Sequence, residues 1–188
     1  MSDHQGCADY VEYVEQMIKH RSQGRESLEG KRVAISGSGN VATHAAIKVI
    51  QLGSMVISLS DSKSSLIATS EEASIGLDAV RQVMEIKAKR RQMPGTRPWK
   101  HVNRVDVVLP CATQNELSGE EAQVLIEAGC KYVAEGSNMG CTAEAAALFE
   151  SHRKSHHHDN AVWFAPGKAA NAGGRGCQWT RAISELLA

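Results

Sequence analysis

The chain has 188 residues, with 21 Lys and Arg against 21 Asp and Glu, so its formal net charge is zero. That balance argues against a nucleic-acid or membrane-surface protein, both of which carry a basic excess. Hydrophobic residues reach 42% while aromatics stay at 4%, so one aliphatic core is expected. No apolar run exceeds five residues, too short for a spanning helix or a signal-peptide core. The amino end lacks the Arg-rich, acid-poor look of a transit peptide, and a soluble cytoplasmic chain is expected.

Residues 8–21 place Val11, Val14, Met17 and Ile18 at helical spacing, and SQGRESLEG then breaks the pattern. RVAIS at 32–36 reads as a strand ending in a glycine turn, and 40–52 as a helix stopped by Gly53. MVISL at 55–59 is a second strand, followed by polar DSKSS and a charged helix from 71 to 92. After the turn MPGTRPW the rhythm resumes: a strand at 105–109, a helix at 119–129 behind the N-cap Ser118, a strand at 131–135 and a helix after Thr142. A strand at 161–165, a loop PGKAANAGG and a short helix from 178 complete the series. This alternation, with short strands that lack polar alternation, predicts an α/β fold with a Rossmann-like, doubly wound, mostly parallel sheet flanked by helices. Three units are expected: an N-terminal helix and linker (1–29), a Rossmann-like strand–helix unit (30–174) and a divergent tail (175–188).

Gly37-Ser38-Gly39-Asn40-Val41-Ala42 forms a G-x-G-x-x-A pattern between a strand and a helix. Gly37 permits a tight turn, Gly39 lets the backbone approach a pyrophosphate, and Ala42 allows close helix–strand packing. The helix start supplies N–H donors and a favourable dipole. Asp61, 24 positions after Gly37 at the end of the second strand, stands where an acid contacts the adenosine ribose. An acid there favours NAD, but Ser62 and Lys63 follow it, and Lys87, Lys89, Arg90 and Arg91 offer phosphate partners. On residue chemistry alone NAD and NADP stay even.

The five cysteines form no C-x-x-C pair, which removes zinc-ribbon and thioredoxin-like readings and leaves reduced thiols as the expectation. Cys111 lacks a recognisable catalytic partner and reads as a small buried hydrophobe. His152, His156, His157 and His158 lie in the polar run SHRKSHHHDN, for which a solvated loop and no metal site are expected. Three further segments, 109–122, 133–145 and 163–174, each start at a strand's carboxyl end, the ligand-binding edge of open α/β sheets.

Those segments, with their motifs ATQNE, EGSNM and PGKAANAGG, and GKRVAISGSGNVA at 30–42 together resemble the cofactor domain of glutamate dehydrogenases. The likeness is to the NADP-specific hexameric type of fungi and bacteria, and it runs from about Val11 to Gly174. It implies interconversion of L-glutamate with 2-oxoglutarate and ammonia, with NADP as coenzyme and NAD as the alternative. It also implies that Ser38, Gly39, Asn40 and Val41 hold the pyrophosphate, and that Asp61 and Ser62 face the adenosine ribose and its 2′-phosphate with Lys87 as phosphate partner. Ala112, Thr113, Gln114, Asn138 and Asn171 would surround the nicotinamide and its ribose. Lys168, a candidate in-chain base, is read as structural or cofactor-proximal.

The chain departs from the family pattern in four places. The family's substrate domain is expected to be missing ahead of residue 1, and HQGCAD does not reproduce the family's threonine-containing turn. The stretch at Gln92–Met93 is shorter than in relatives, and RGCQWTRAISELLA replaces a serine-bearing continuation after AGG. A shifted reading frame or mis-joined exon is the expectation for that tail. No catalytic residue is assigned, and glutamate turnover is expected only with a substrate domain. The alternative is a catalytically dead binding or oligomerisation module of the same family.

Overall fold

The structure, a computed structural model, describes residues 3–60, 65–68, 70, 72–88, 98–157 and 160–170. The sites Asp61, Ser62 and Asn171, the basic run 89–91, the Gln92–Met93 stretch, His158 and the tail helix lie outside the described residues.

Six strands form one sheet in the order β3-β2-β1-β4-β5-β6. They are β1 (Arg32–Ile35), β2 (Met55–Ser60), β3 (Ser65–Ile67), β4 (Val107–Leu109), β5 (Tyr132–Ala134) and β6 (Trp163–Ala165). All neighbouring pairs are parallel except β2 with β3. The helices are α1 (Asp3–Arg21), α2 (Asn40–Gln51), α3 (Leu77–Ala88), α4 (Gly119–Glu127), α5 (Ala143–Ser155) and α6 (Gly167–Ala170), with a 3-10 turn at Pro98–Lys100. The sheet is therefore doubly wound and mostly parallel, as the strand–helix rhythm predicts. No described helix is long and apolar enough to cross a membrane.

Successive strand residues go to opposite faces, and here both faces are covered. Val33, Ile35, Val107, Leu109, Ala134 and Trp163 share a core with Val11, Val14 and Ile18 of α1 and Ala45, Ala46 and Val49 of α2. Ala34, Val108, Val133 and Phe164 pack on the other side against Trp99, Leu125 of α4 and Phe149 of α5. Burial of each such large side chain contributes about 1.5–3 kcal/mol. A sheet buried on both faces favours apolar residues on both, which is why β4, β5 and β6 show no polar alternation, while β2 buries Ser58 and Ser60 among its apolar residues.

Four details differ from the sequence reading. The chain at 65–67 forms β3, a short edge strand held by pairing with β2. The third helix starts at Leu77 rather than 71, because the Ile75 N–H donates to the Val56 carbonyl at 2.7 Å and keeps the chain extended up to Gly76. The PGKAA segment is helical from Gly167, its N–H groups at Ala169 and Ala170 donating to the Pro166 carbonyl. His152 stands on α5, where its ring stacks on His156 at 3.8 Å, rather than in a loop.

All three tyrosines, Tyr10, Tyr13 and Tyr132, are buried. Burial pushes Tyr13 and Tyr132 up to about 12, with the Arg21 guanidinium over the Tyr132 ring partly offsetting it. Burial, then the neighbouring Cys111, also raises Tyr10 well above its ordinary value. An unfolded tyrosine ionises near 10, so between pH 10 and 12 the unfolded chain has released protons that the folded one retains. Stability is full below about pH 10 and falls as pH rises through that window. A spectrophotometric titration should show no native phenolate at about pH 10.5, where urea-unfolded chain is largely ionised; equal native and unfolded curves would contradict this burial.

Candidate functional site

The strand order places a topological switch point between β1 and β4, the position where open α/β sheets bind ligands beyond their carboxyl ends. The chain leaves β1 here through Ser36, Gly37 and Ser38. Gly37 has φ +90°, and a Cβ on it would lie 2.8 Å from the Cys111 carbonyl oxygen and 3.1 Å from the Ala42 Cβ. Only glycine fits that conformation and that gap.

Two serines latch the turn on either side. The Ser36 hydroxyl accepts the Cys111 N–H at 3.0 Å, fixing the turn to the end of β4. The Ser60 hydroxyl accepts the Gly37 N–H at 3.3 Å, and the Ser60 N–H donates to the Gly37 carbonyl at 3.1 Å, fixing it to β2. Below, Ser58 bridges a bulge in the β1–β2 ladder, accepting from Ile35 N–H at 3.1 Å and donating to the Ile35 carbonyl at 3.2 Å. Ser36, Ser58 and Ser60 did not stand out in the sequence. Their partners are 23 to 75 residues away and follow only from the strand register.

At the start of α2 no side chain caps the helix. By contrast, Ser118 and Glu121 form a reciprocal capping box on α4, and Thr142 caps α5 by accepting the Ala145 N–H. Uncapped first-turn N–H groups of α2 are left for solvent or a ligand. Gly39 has ordinary extended φ/ψ, and a Cβ there would meet nothing within 4 Å, so the backbone is open to close approach. The Ser38 hydroxyl is buried without a hydrogen-bond partner. A buried hydroxyl left unpaired costs about 1–3 kcal/mol, and an acceptor from outside would satisfy it. An anion with several oxygens fits this cradle.

On the other side of the switch point, the loops after β4 and β5 are zipped together. The Asn115 N–H donates to the Met139 carbonyl at 2.8 Å, and Gly136 and Ser137 N–H both donate to the Pro110 carbonyl. Asn115 and Met139 adopt left-handed φ of 52° and 57°. Ala112, Thr113, Gln114 and Asn138 are exposed on this edge. Val41, in the first turn of α2, and Met139, in the loop after β5, are the exposed large hydrophobics among the described residues and flank the switch point. Lys87 is in the last turn of α3 by its backbone, and Lys168 is exposed on α6.

A cleft of about 280 Å³ lies at the opposite edge, lined by Arg21, Ser22, Arg25, Glu26, Lys131 and Tyr132. Its polar groups serve the end of α1. Arg21 donates to the Lys131 carbonyl at 3.1 Å, and Arg25 donates to the Ser22 carbonyl at 2.9 Å. Glu26 pairs with Lys31 at 2.6 Å, a hydrogen bond that holds its carboxyl below the usual value. The uncapped helix start and the open Gly39 backbone lie at the switch point, away from this cleft.

Residues 6–177 match the glutamate/leucine/phenylalanine/valine dehydrogenase family model. The chain belongs to that family. Relatives include the NADP-specific glutamate dehydrogenase of Penicillium chrysogenum, 54% identical over 87% of this chain and 39% of its own length. The enzyme of the same name from Schizosaccharomyces pombe is 52% identical, over 87% of this chain and 38% of its own. Among solved structures, a glutamate dehydrogenase superposes with a TM-score of 0.77 at 28% identity, covering 98% of this chain and 45% of that one. The Plasmodium falciparum glutamate dehydrogenase gives 0.76 at 25% identity, covering 98% and 42%. The chain thus spans about two fifths of the length of these relatives.

Proposed function

We propose that residues 30–174 form the NADP-binding unit of a glutamate dehydrogenase. The observation that carries this reading is the uncapped start of α2 beside the partnerless Ser38 hydroxyl, both at the switch point of the sheet. Ser38, Gly39, Asn40 and Val41 would receive the pyrophosphate through backbone N–H groups and the Ser38 hydroxyl, as helix N-termini do for phosphates. Asp61 and Ser62 follow β2 and would take the adenosine ribose and its 2′-phosphate, with Lys87 as a cationic partner. Ala112, Thr113, Gln114, Asn138 and Asn171 would flank the nicotinamide half. The preference for NADP rests on the NADP-specific names of the relatives.

When bound, the coenzyme supplies hydride exchange with the substrate carbon. Glutamate has two carboxylates to anchor, and its oxidation needs a positioned proton relay. Loops 36–40, 110–118, 135–142 and 166–170 carry one cation, Lys168. Anchoring and proton relay therefore fall to a substrate domain, and the chain by itself binds coenzyme without turning over glutamate. The purified chain should show no glutamate-dependent NADPH formation, and activity should appear when the substrate domain of a relative is added. Turnover by the chain alone would refute this division of labour.

A further inference from the structure

A buried acid stands beneath the three loops on the β4–β6 side. Glu135 follows β5 directly and is 4% exposed. Its Oε1 accepts the Cys141 N–H at 2.7 Å, and its Oε2 accepts the Gly167 N–H at 2.7 Å. Each carboxyl oxygen thus accepts a backbone N–H from a different loop. Its own N–H donates to the Ala165 carbonyl at 3.0 Å. Leu117, at the end of the loop after β4, forms a bridge with Cys141. One side chain therefore ties the far end of the β5–α5 loop to the start of α6, and through Cys141 the loop after β4.

The Tyr10 hydroxyl and the Cys141 thiol beside it both have their ionisation pushed up. Tyr10 donates to the Ala134 carbonyl at 2.5 Å. Burial raises the Cys141 thiol far above its ordinary range, and the charge and hydrogen bond of Glu135 raise it further. Burial and Cys111 raise Tyr10, with Glu135 adding to the effect. The space is also closed: a Cβ on Gly136 would lie 2.5 Å from the Cys111 sulfur and 3.2 Å from the Tyr10 ring. The loops so fixed are the ones that present Asn138 and Met139 and lead into Asn171.

We infer that Glu135 is a positioning residue: its two carboxylate oxygens hold the loops after β5 and β6 in the register that receives the nicotinamide half of the coenzyme. The inference rests on the dinucleotide reading above. In this sheet order the adenosine half lies toward β2 and the other half beyond β4, so Glu135 acts on one half only. Glutamine keeps the length of the side chain but offers one acceptor, so its NH₂ must face one of the two backbone N–H groups. Aspartate keeps the charge but is one methylene too short to reach both. Charge-assisted bonds to backbone N–H groups are about twice as strong as neutral ones, so the loss is felt in loop geometry.

The test compares wild type and Glu135→Gln for binding of NADPH and of 2′,5′-ADP, which occupies the adenosine side alone, together with amide hydrogen exchange. The variant should bind NADPH about tenfold or more weakly and 2′,5′-ADP within about twofold of wild type. Exchange should accelerate in segments 136–141 and 166–170 and not elsewhere. Unchanged NADPH affinity overturns the inference, and so does parallel weakening of both ligands, which marks a general structural role. If Glu135→Gln does not fold, Glu135→Asp should give the same split between the two ligands. If wild type binds neither ligand, the coenzyme reading fails. The loop clamp is then judged by exchange alone: acceleration confined to the two segments upholds it, and unchanged exchange overturns it.

Discussion

Replacing Gly39 by aspartate is expected to abolish dinucleotide affinity while leaving the fold at least as stable. Gly39 is the N-cap of α2, in an extended conformation that any residue adopts, and a Cβ there touches no protein atom within 4 Å. Aspartate is a favoured N-cap residue, and its charge suits the positive end of the helix, each effect worth a few tenths to about 1 kcal/mol. The same carboxylate would occupy the free N–H donors and repel an incoming diphosphate. A loss of about 100-fold or more in NADPH affinity corresponds to roughly 2.7 kcal/mol, the size expected for displacing several charge-assisted bonds. Urea unfolding and a coenzyme titration on the same sample separate the two effects. Retained affinity in a folded Gly39→Asp variant would remove the pyrophosphate from this helix start.

Gly37→Ala should fail for the opposite reason. A methyl group at this position meets the Cys111 backbone at 2.8 Å to its oxygen and 3.0 Å to its carbon, and neither can rotate away. The residue must also hold φ at +90°, where a side chain costs about 1–2 kcal/mol. Overpacking against a fixed strand adds about 1–3 kcal/mol, so a destabilisation of about 2–5 kcal/mol is expected against a typical total of about 5–15. The strain falls on the junction of β1, β2 and β4 that Ser36 and Ser60 latch. The midpoint of urea unfolding should drop sharply, with coenzyme affinity lost alongside. An unchanged midpoint would mean that the turn opens away from Cys111. The two glycines of one motif thus separate by experiment: one is required by packing, the other by the ligand.

Much of this arrangement was legible before the structure. Short, mostly apolar strands, separated by helices with Ser118 and Thr142 at their starts, follow from local physics, and both residues cap as expected. The glycine turn was readable for the same reason, since it depends on neighbours in sequence. β3 escaped because three half-buried residues carry no periodicity, and only the partner strand makes them a strand. The helix in PGKAA escaped because proline and glycine mark loops, whereas Pro166 here accepts the bonds of the first turn and Glu135 receives the Gly167 N–H. Glu135 itself was visible as a letter in EGSNM, but its role depends on Cys141 and Gly167, six and 32 residues away. Long-range polar contacts have no signature in spacing, and they are what aligns the loops of this site.

The most direct test is a titration of the purified chain with NADPH and with NADH, followed by nicotinamide fluorescence, with Gly39→Asp as the control. Saturable binding of NADPH, tighter than that of NADH and absent in the control, is the predicted result. A folded chain that binds neither coenzyme would contradict the assignment of this sheet edge to a dinucleotide.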